Sequence, residues 1–93
     1  MNAQNDRVTP ARQMEVLQAI DALIRRDGWP PSYRELCEAL GLNSTATIHY
    51  HCGLLEAWGL IVRGPKGQNR ALKITTMGHA ALELAKLPPS SVI

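Results

Sequence analysis

The feature that most constrains this chain is a pair of helix-start signals set close together on either side of a glycine. Ser32-Tyr33-Arg34-Glu35 has the form of a capping box. In such a box the serine hydroxyl accepts from the backbone N–H three residues on, and the glutamate reaches back to the serine's own N–H. Immediately upstream, Trp29-Pro30-Pro31 cannot continue a helix and must be an extended connector. Downstream, Leu36, Cys37 and Leu40 form the buried side of a short helix, and Gly41 ends it. Leu42 and Asn43 then bridge to Ser44, a second capping residue, and a further helix runs from about Thr45 to Ala57. A helix, a glycine-containing turn and a second helix make a recognised supersecondary unit.

The flanking segments complete the reading. Residues 1–8 are polar and without periodicity, which predicts a flexible amino-terminal arm. Thr9-Pro10 is a helix start, because threonine caps and proline is preorganised for the first helical position. Val16, Leu17, Ile20, Leu23 and Ile24 follow as one apolar stripe. That first helix closes on Arg25, Arg26 and Asp27, with Gly28 as its stop. In the helix after Ser44, Ile48, Cys52 and Leu55 lie on the core side with His51 beside them. The opposite side carries Thr45, Ala46, His49, Tyr50 and Gly53 and no charge. A solvated face would ordinarily carry Lys and Glu, so this face reads as one kept clear for a partner.

After Trp58-Gly59 the pattern changes to strands. Leu60 to Arg63 is β-rich, Gly64 to Asn69 is turn chemistry, and Arg70 to Ile74 alternates again, which predicts a two-stranded hairpin. Thr75 or Thr76 can cap a fourth helix through Leu87, and Pro88-Pro89 stops it. That helix is apolar over more than one stripe, with only His79, Glu83 and Lys86 as polar positions.

Composition limits function more than fold. The chain has 93 residues, room for one domain, and lacks phenylalanine, so Leu, Ile, Val and Ala must fill a modest core. A net charge of +2 decides little, but Arg63, Lys66, Arg70 and Lys73 lie between Gly59 and Thr76 without an acid among them. A local basic segment suits a polyanion, although a solvated hairpin would look the same. There is neither a paired-carboxylate set, a Ser-His-Asp set nor a phosphate-cradling glycine loop, so an enzyme is not expected. No cofactor, small-molecule ligand or membrane association is expected either. The absence of a signal peptide or long apolar run, with only Cys37 and Cys52 as thiols, predicts a cytoplasmic protein.

Three helices followed by a hairpin is the order of a winged helix-turn-helix, an α+β and mostly helical fold. Here residues 9–75 would form the winged unit, 76–87 an additional carboxy-terminal helix, and 88–93 a tail. In that geometry the second helix of the motif enters the major groove of double-stranded DNA. The hairpin tip, with Lys66, reaches the flanking backbone or minor groove.

The residues also resemble a known family, the amino-terminal DNA-binding domain of LexA-type repressors. Ala11-Arg12-Gln13 with Glu15-Val16, Gly28-Trp29-Pro30-Pro31-Ser32, Glu35-Leu36, Leu40-Gly41-Leu42, Ser44 to His51, Leu55, Gly59-Leu60-Ile61 and Arg70-Ala71-Leu72 carry the likeness, over roughly Pro10 to Ile74. The resemblance implies a sequence-specific transcriptional regulator, a repressor by analogy. It implies base contacts from Ser44, Ala46, Thr47, His49 and Tyr50, and phosphate contacts from Arg34, Arg63 and Lys66, with Arg70 of the same basic stretch counted among them. Tyr50 is large where related sequences carry small or acidic residues, so a different operator is expected. Gly53 costs about 1 kcal/mol relative to alanine inside a helix, and close approach of another element would explain it. LexA-type repressors carry a second, self-cleaving Ser-Lys domain that also dimerises. This chain ends at Ile93, so autoproteolysis is not expected, and homodimerisation would fall to the apolar fourth helix.

Other readings of the same residues stand beside these. The winged unit could hold another regulatory protein instead of DNA. His49 and Tyr50 could be ordinary surface residues. His51 is expected to pack beside the core, and the cysteines to fill small core gaps and not to bind zinc, which wants four convergent ligands. Trp29 is expected over the end of the first helix, and Trp58 against the hairpin or the fourth helix. Arg25 and Arg26 read as a solvated helix terminus, and Arg12 serves either the amino end or the DNA backbone.

Overall fold

A computed structural model describes residues 10–64 and 72–86. In chain order it has helices α1 (Pro10–Asp27), α2 (Tyr33–Leu40) and α3 (Thr45–Ala57), strands β1 (Ile61–Arg63) and β2 (Leu72–Ile74), and helix α4 (Thr76–Ala85). The strands pair antiparallel with Ile61 opposite Ile74, Val62 opposite Lys73 and Arg63 opposite Leu72. This is the winged helix-turn-helix arrangement that the order of signals predicts. The arm, Thr9, the hairpin tip with Lys66 and Arg70, and the tail lie outside the described residues.

Local chemistry sets the element boundaries. The capping box at α2 is complete: Ser32 Oγ accepts from the Glu35 N–H at 3.1 Å, and Glu35 Oε1 accepts from the Ser32 N–H at 2.9 Å. The helix ends where Gly41 takes a left-handed φ of 71°, which costs an L-residue side chain strain that glycine avoids. The Leu42 N–H then donates back to the Cys37 carbonyl at 2.9 Å, and Leu42 packs on the core. Four residues later α3 is under way, with Ser44 Oγ accepting from the Ala46 N–H at 3.1 Å.

The core is a single cluster that joins all the elements. Val16, Leu17 and Ile20 of α1, Leu36 of α2, Ile48, Cys52 and Leu55 of α3 and Ile61 of β1 are almost wholly buried, and Leu72, Ile74 and Leu82 close it from the hairpin and α4. Each alternate residue of the short strands faces inward, so Val62 and Lys73 are left on the outer side. Both cysteines are free thiols within this core.

Helix α4 docks on α1 and β2 through an unusually close contact. A Cβ at Gly78 would strike the Leu60 carbonyl oxygen and come within 2.7 Å of Ile74 Cγ2, so only glycine permits this approach. The cap of α4 reinforces the junction, because Thr75 Oγ1 donates to the Gly59 carbonyl at 2.6 Å and accepts from the Gly78 N–H at 2.9 Å. Neither tryptophan is packed away. Trp29 is 56% exposed and Trp58 45%, so neither is a core residue. Both sit beside helix-ending glycines, Gly28 and Gly59, whose positive φ turns the chain at the surface.

Candidate nucleic-acid interface

The amino-terminal half of α3 presents the candidate surface. Thr45, Ala46, His49 and Tyr50 are exposed, and Tyr50 retains 59% of its surface. Thr47 is half-buried on one flank. The inner side of the same helix carries Ile48, His51, Cys52 and Leu55, which fixes its rotation about its own axis. Ser44, also exposed, uses one oxygen lone pair on the Ala46 N–H, and a hydroxyl keeps a donor and a second lone pair for another partner. Capping α3 and touching a ligand are therefore compatible roles for this side chain.

His51 is buried as expected, but its partner is a finding. Gln13 of α1 meets it, Nε2 to Nδ1 at 3.0 Å, with the glutamine 1% and the histidine 0% exposed. This hydrogen bond crosses from α1 to α3 inside the core. The sequence held a signal for the burial of Gln13, though not for its partner, since Gln13 precedes Val16 and Leu17 by three and four residues and so falls on the apolar stripe.

The cations behave differently from one another. Arg34 stands exposed on the first turn of α2. Arg63, at the end of β1, is turned onto α3: its Nη2 lies 2.9 Å from Glu56 Oε1 and its Nε donates to the same oxygen at 3.0 Å. It also bonds the Tyr33 side chain, and these contacts hold the guanidinium above its ordinary pKa, Tyr33 being the largest cause. A Cβ added at Gly53 would lie 3.7 Å from Arg63 Nη2, an ordinary van der Waals contact, so this approach does not itself require glycine. The unusually close approach expected at Gly53 is therefore not found there; the glycine that needs one is Gly78. Tyr33 in turn stacks on His49 of α3, ring centroids 3.9 Å apart and planes 34° from parallel. Arg25 and Arg26 are paired with Asp21 and Asp27 at 2.9 and 2.8 Å, as a solvated helix terminus would be. Arg12 pairs with Glu15 at 2.7 Å. Lys66 and Arg70 lie outside the described residues.

Among the described residues no group of three or more His, Cys, Asp or Glu side chains is placed to hold a metal ion. Burial pushes the Cys52 thiol up to about 12 and raises that of Cys37 as well, and both sit among core residues. No described helix is long and apolar enough to cross a membrane.

A capped helix whose outward face is exposed and uncharged, preceded by a short helix and a glycine turn and flanked by a hairpin, defines the winged helix-turn-helix class of DNA-binding domains. Within that class the chain belongs to the LexA DNA-binding domain family, whose model matches residues 7–71. It is 43% identical over 72 residues to the LexA repressor of Ligilactobacillus salivarius, covering 77% of this chain and 34% of that protein. It is 39% identical over 84 residues to the LexA repressor of Enterococcus faecalis, covering 90% of this chain and 38% of the relative. With the LexA repressor of Alkaliphilus oremlandii the identity is 46% over 63 residues, 68% of this chain and 30% of the relative. The chain thus spans about a third of the length of these relatives.

Proposed function

We propose that the protein is a sequence-specific regulator that binds double-stranded DNA through α3 and represses transcription. The observation that carries this reading is the exposed, uncharged amino-terminal half of α3, with its core side locked and a capped turn in front of it. Ser44, Ala46, Thr47, His49 and Tyr50 are the base-reading set, and Arg34, Arg63, Lys66 and Arg70 the phosphate-contacting set. Ala46 offers an apolar contact for a thymine methyl, whereas Ser44, Thr47, His49 and Tyr50 offer hydrogen-bonding groups to base edges. Their exposure supports this assignment for all but Thr47, which is half-buried. Self-cleavage is no part of this reading.

Homodimerisation through α4 belongs to the same proposal. Met77 is 60% and Leu84 69% exposed, seven residues apart on one side of the helix. Pairing two half-site binders raises avidity by roughly 10²–10⁴. The same exposed side chains, with Trp58, favour a second reading, in which the domain holds another regulatory protein.

Selection from random duplexes at physiological salt tests the main reading. A defined site, two-fold symmetric if the protein dimerises, is the expected result. Thr47→Ala or His49→Ala then relaxes the preference by about 1–3 kcal/mol for each well-made base interaction it removes. Equal binding to all sequences sinks it. Solution mass of the wild type and of Leu84→Glu tests the dimer, which the charged variant dissociates.

A further inference from the structure

We propose that Tyr33, which lies outside the recognition helix on the first turn of α2, is a positioning residue for sequence readout, holding His49 in the orientation in which it meets a base. The inference rests on the DNA-binding reading above and adds to it a specificity determinant on a different helix.

Three observations carry it. First, the Tyr33 ring stacks on the His49 imidazole at a centroid separation of 3.9 Å, while His49 remains exposed on its other side. One face of the imidazole is therefore occupied, and its edge is left for a partner. Second, Tyr33 is itself held from two directions. Its ring packs against the core cluster, and its side chain is close enough to the Arg63 guanidinium to be the largest cause of that group's raised pKa. Third, Arg63 is fixed in its turn by Glu56, at 2.9 Å, and lies over the bare backbone of Gly53. His49, Gly53 and Glu56 follow at four- and three-residue steps along α3, so Tyr33 and Arg63 cover one continuous flank of the helix.

This arrangement has a direct consequence for readout. A free surface histidine samples several rotamers, and freezing one on binding costs affinity. Stacking on a ring that is anchored in the core meets that cost during folding. Discrimination at the base opposite His49 is then set partly by a residue of α2.

The test compares base-preference profiles from random-duplex selection for wild type, Tyr33→Leu, Tyr33→Phe, His49→Ala and the Tyr33→Leu/His49→Ala double variant. Leucine keeps the apolar contact with the core but removes the stacking ring, and phenylalanine keeps the ring. Tyr33→Leu is expected to lose roughly tenfold in discrimination at the same base position as His49→Ala, and at that position alone. Tyr33→Phe should retain the profile, and the double variant should lose no more than His49→Ala. In the unbound protein the carbon-bound imidazole protons of His49 should move downfield in Tyr33→Leu and not in Tyr33→Phe, as the ring current disappears. A folded Tyr33→Leu with the wild-type profile overturns the proposal, and so does an additive double variant. If the wild type itself shows no base preference, the regulator reading fails and readout by His49 fails with it. The His49 resonances separate the two failures, since they report the stack without DNA.

Discussion

Of the polar contacts that tie helix α3 to the rest of the protein among the described residues, one inside and one outside differ in nearly every physical respect. The inner one is the Gln13–His51 hydrogen bond, sealed in the core. The outer one is the chain from His49 through Tyr33 and Arg63 to Glu56, made of half-buried and exposed groups at the surface. Inside, neither side chain can fall back on water, so losing the bond is costly. Outside, every member is still partly hydrated, and an exposed ion pair contributes only about 0–1 kcal/mol. The inner link therefore governs whether α3 stays seated. The outer link governs how its reading side chains are presented.

The largest expected effect breaks the inner link from one side. Gln13→Leu or His51→Leu removes a hydrogen bond between buried polar groups and should cost about 1–3 kcal/mol in urea unfolding. The double variant Gln13→Leu/His51→Leu replaces both with apolar groups and should recover much of that loss. If each single variant unfolds within about 0.5 kcal/mol of wild type, the inner attachment is no more than a surface contact in energetic terms.

A second effect sharpens the same contrast with pH. Cys52 is on the inner side of α3, fully buried, and its thiol is raised from an ordinary 9.0 to about 12, desolvation being the largest cause. A thiol that holds its proton more tightly in the folded state than in the unfolded one leaves stability intact below the unfolded value. Stability is then lost as pH rises from about 9.0 toward about 12, because only the unfolded chain ionises over that window. The limiting slope is about 1.4 kcal/mol per pH unit. Cys52→Ala should lose this component, so the difference between variant and wild-type unfolding curves should narrow or reverse as pH rises. Parallel curves from pH 8 to pH 11 would contradict the desolvation argument.

The contrast between the two attachments also explains what could be read in the sequence. The elements were legible because their signals are local: Ser32 with Glu35, Gly41, Ser44 and the stripe of Val16, Leu17 and Ile20 act within a turn or two of chain. The outward face of α3 was legible for the same reason, since helical spacing alone separates Ala46 and Tyr50 from Ile48 and Cys52. The attachments were not, because each joins residues far apart in the chain, 38 positions for Gln13 and His51. Nothing in Tyr33-Arg34-Glu35 says that the tyrosine will meet His49 and Arg63, and nothing in Gly53 says which group will lie over it. Gly78 was invisible too, because its need for a missing Cβ arises from the Leu60 backbone, a contact made only once the hairpin has formed. The tryptophans are partly covered at the surface, Trp29 56% and Trp58 45% exposed. Both lie beside glycine turns, where the chain leaves a helix.

The smallest effect on stability tests the outer link, and its larger consequence is for binding. Glu56 holds Arg63 against α3, with the carboxylate 41% and the guanidinium 29% exposed. Glu56→Gln should change unfolding free energy by only about 0.2–1 kcal/mol, as for other exposed pairs. In the proposed complex the same carboxylate competes with phosphate for Arg63 and adds a negative charge close to the duplex. Its removal should therefore tighten DNA binding several-fold at low salt. It should also steepen the dependence of log affinity on log salt by about 0.9, the increment for one additional phosphate contact. Arg63→Gln should reverse both changes in the Glu56→Gln background. An unchanged slope in Glu56→Gln, with stability also unchanged, would mean that Arg63 serves only to hold Tyr33 in place. The wing's electrostatic contribution would then have to come from beyond the end of β1.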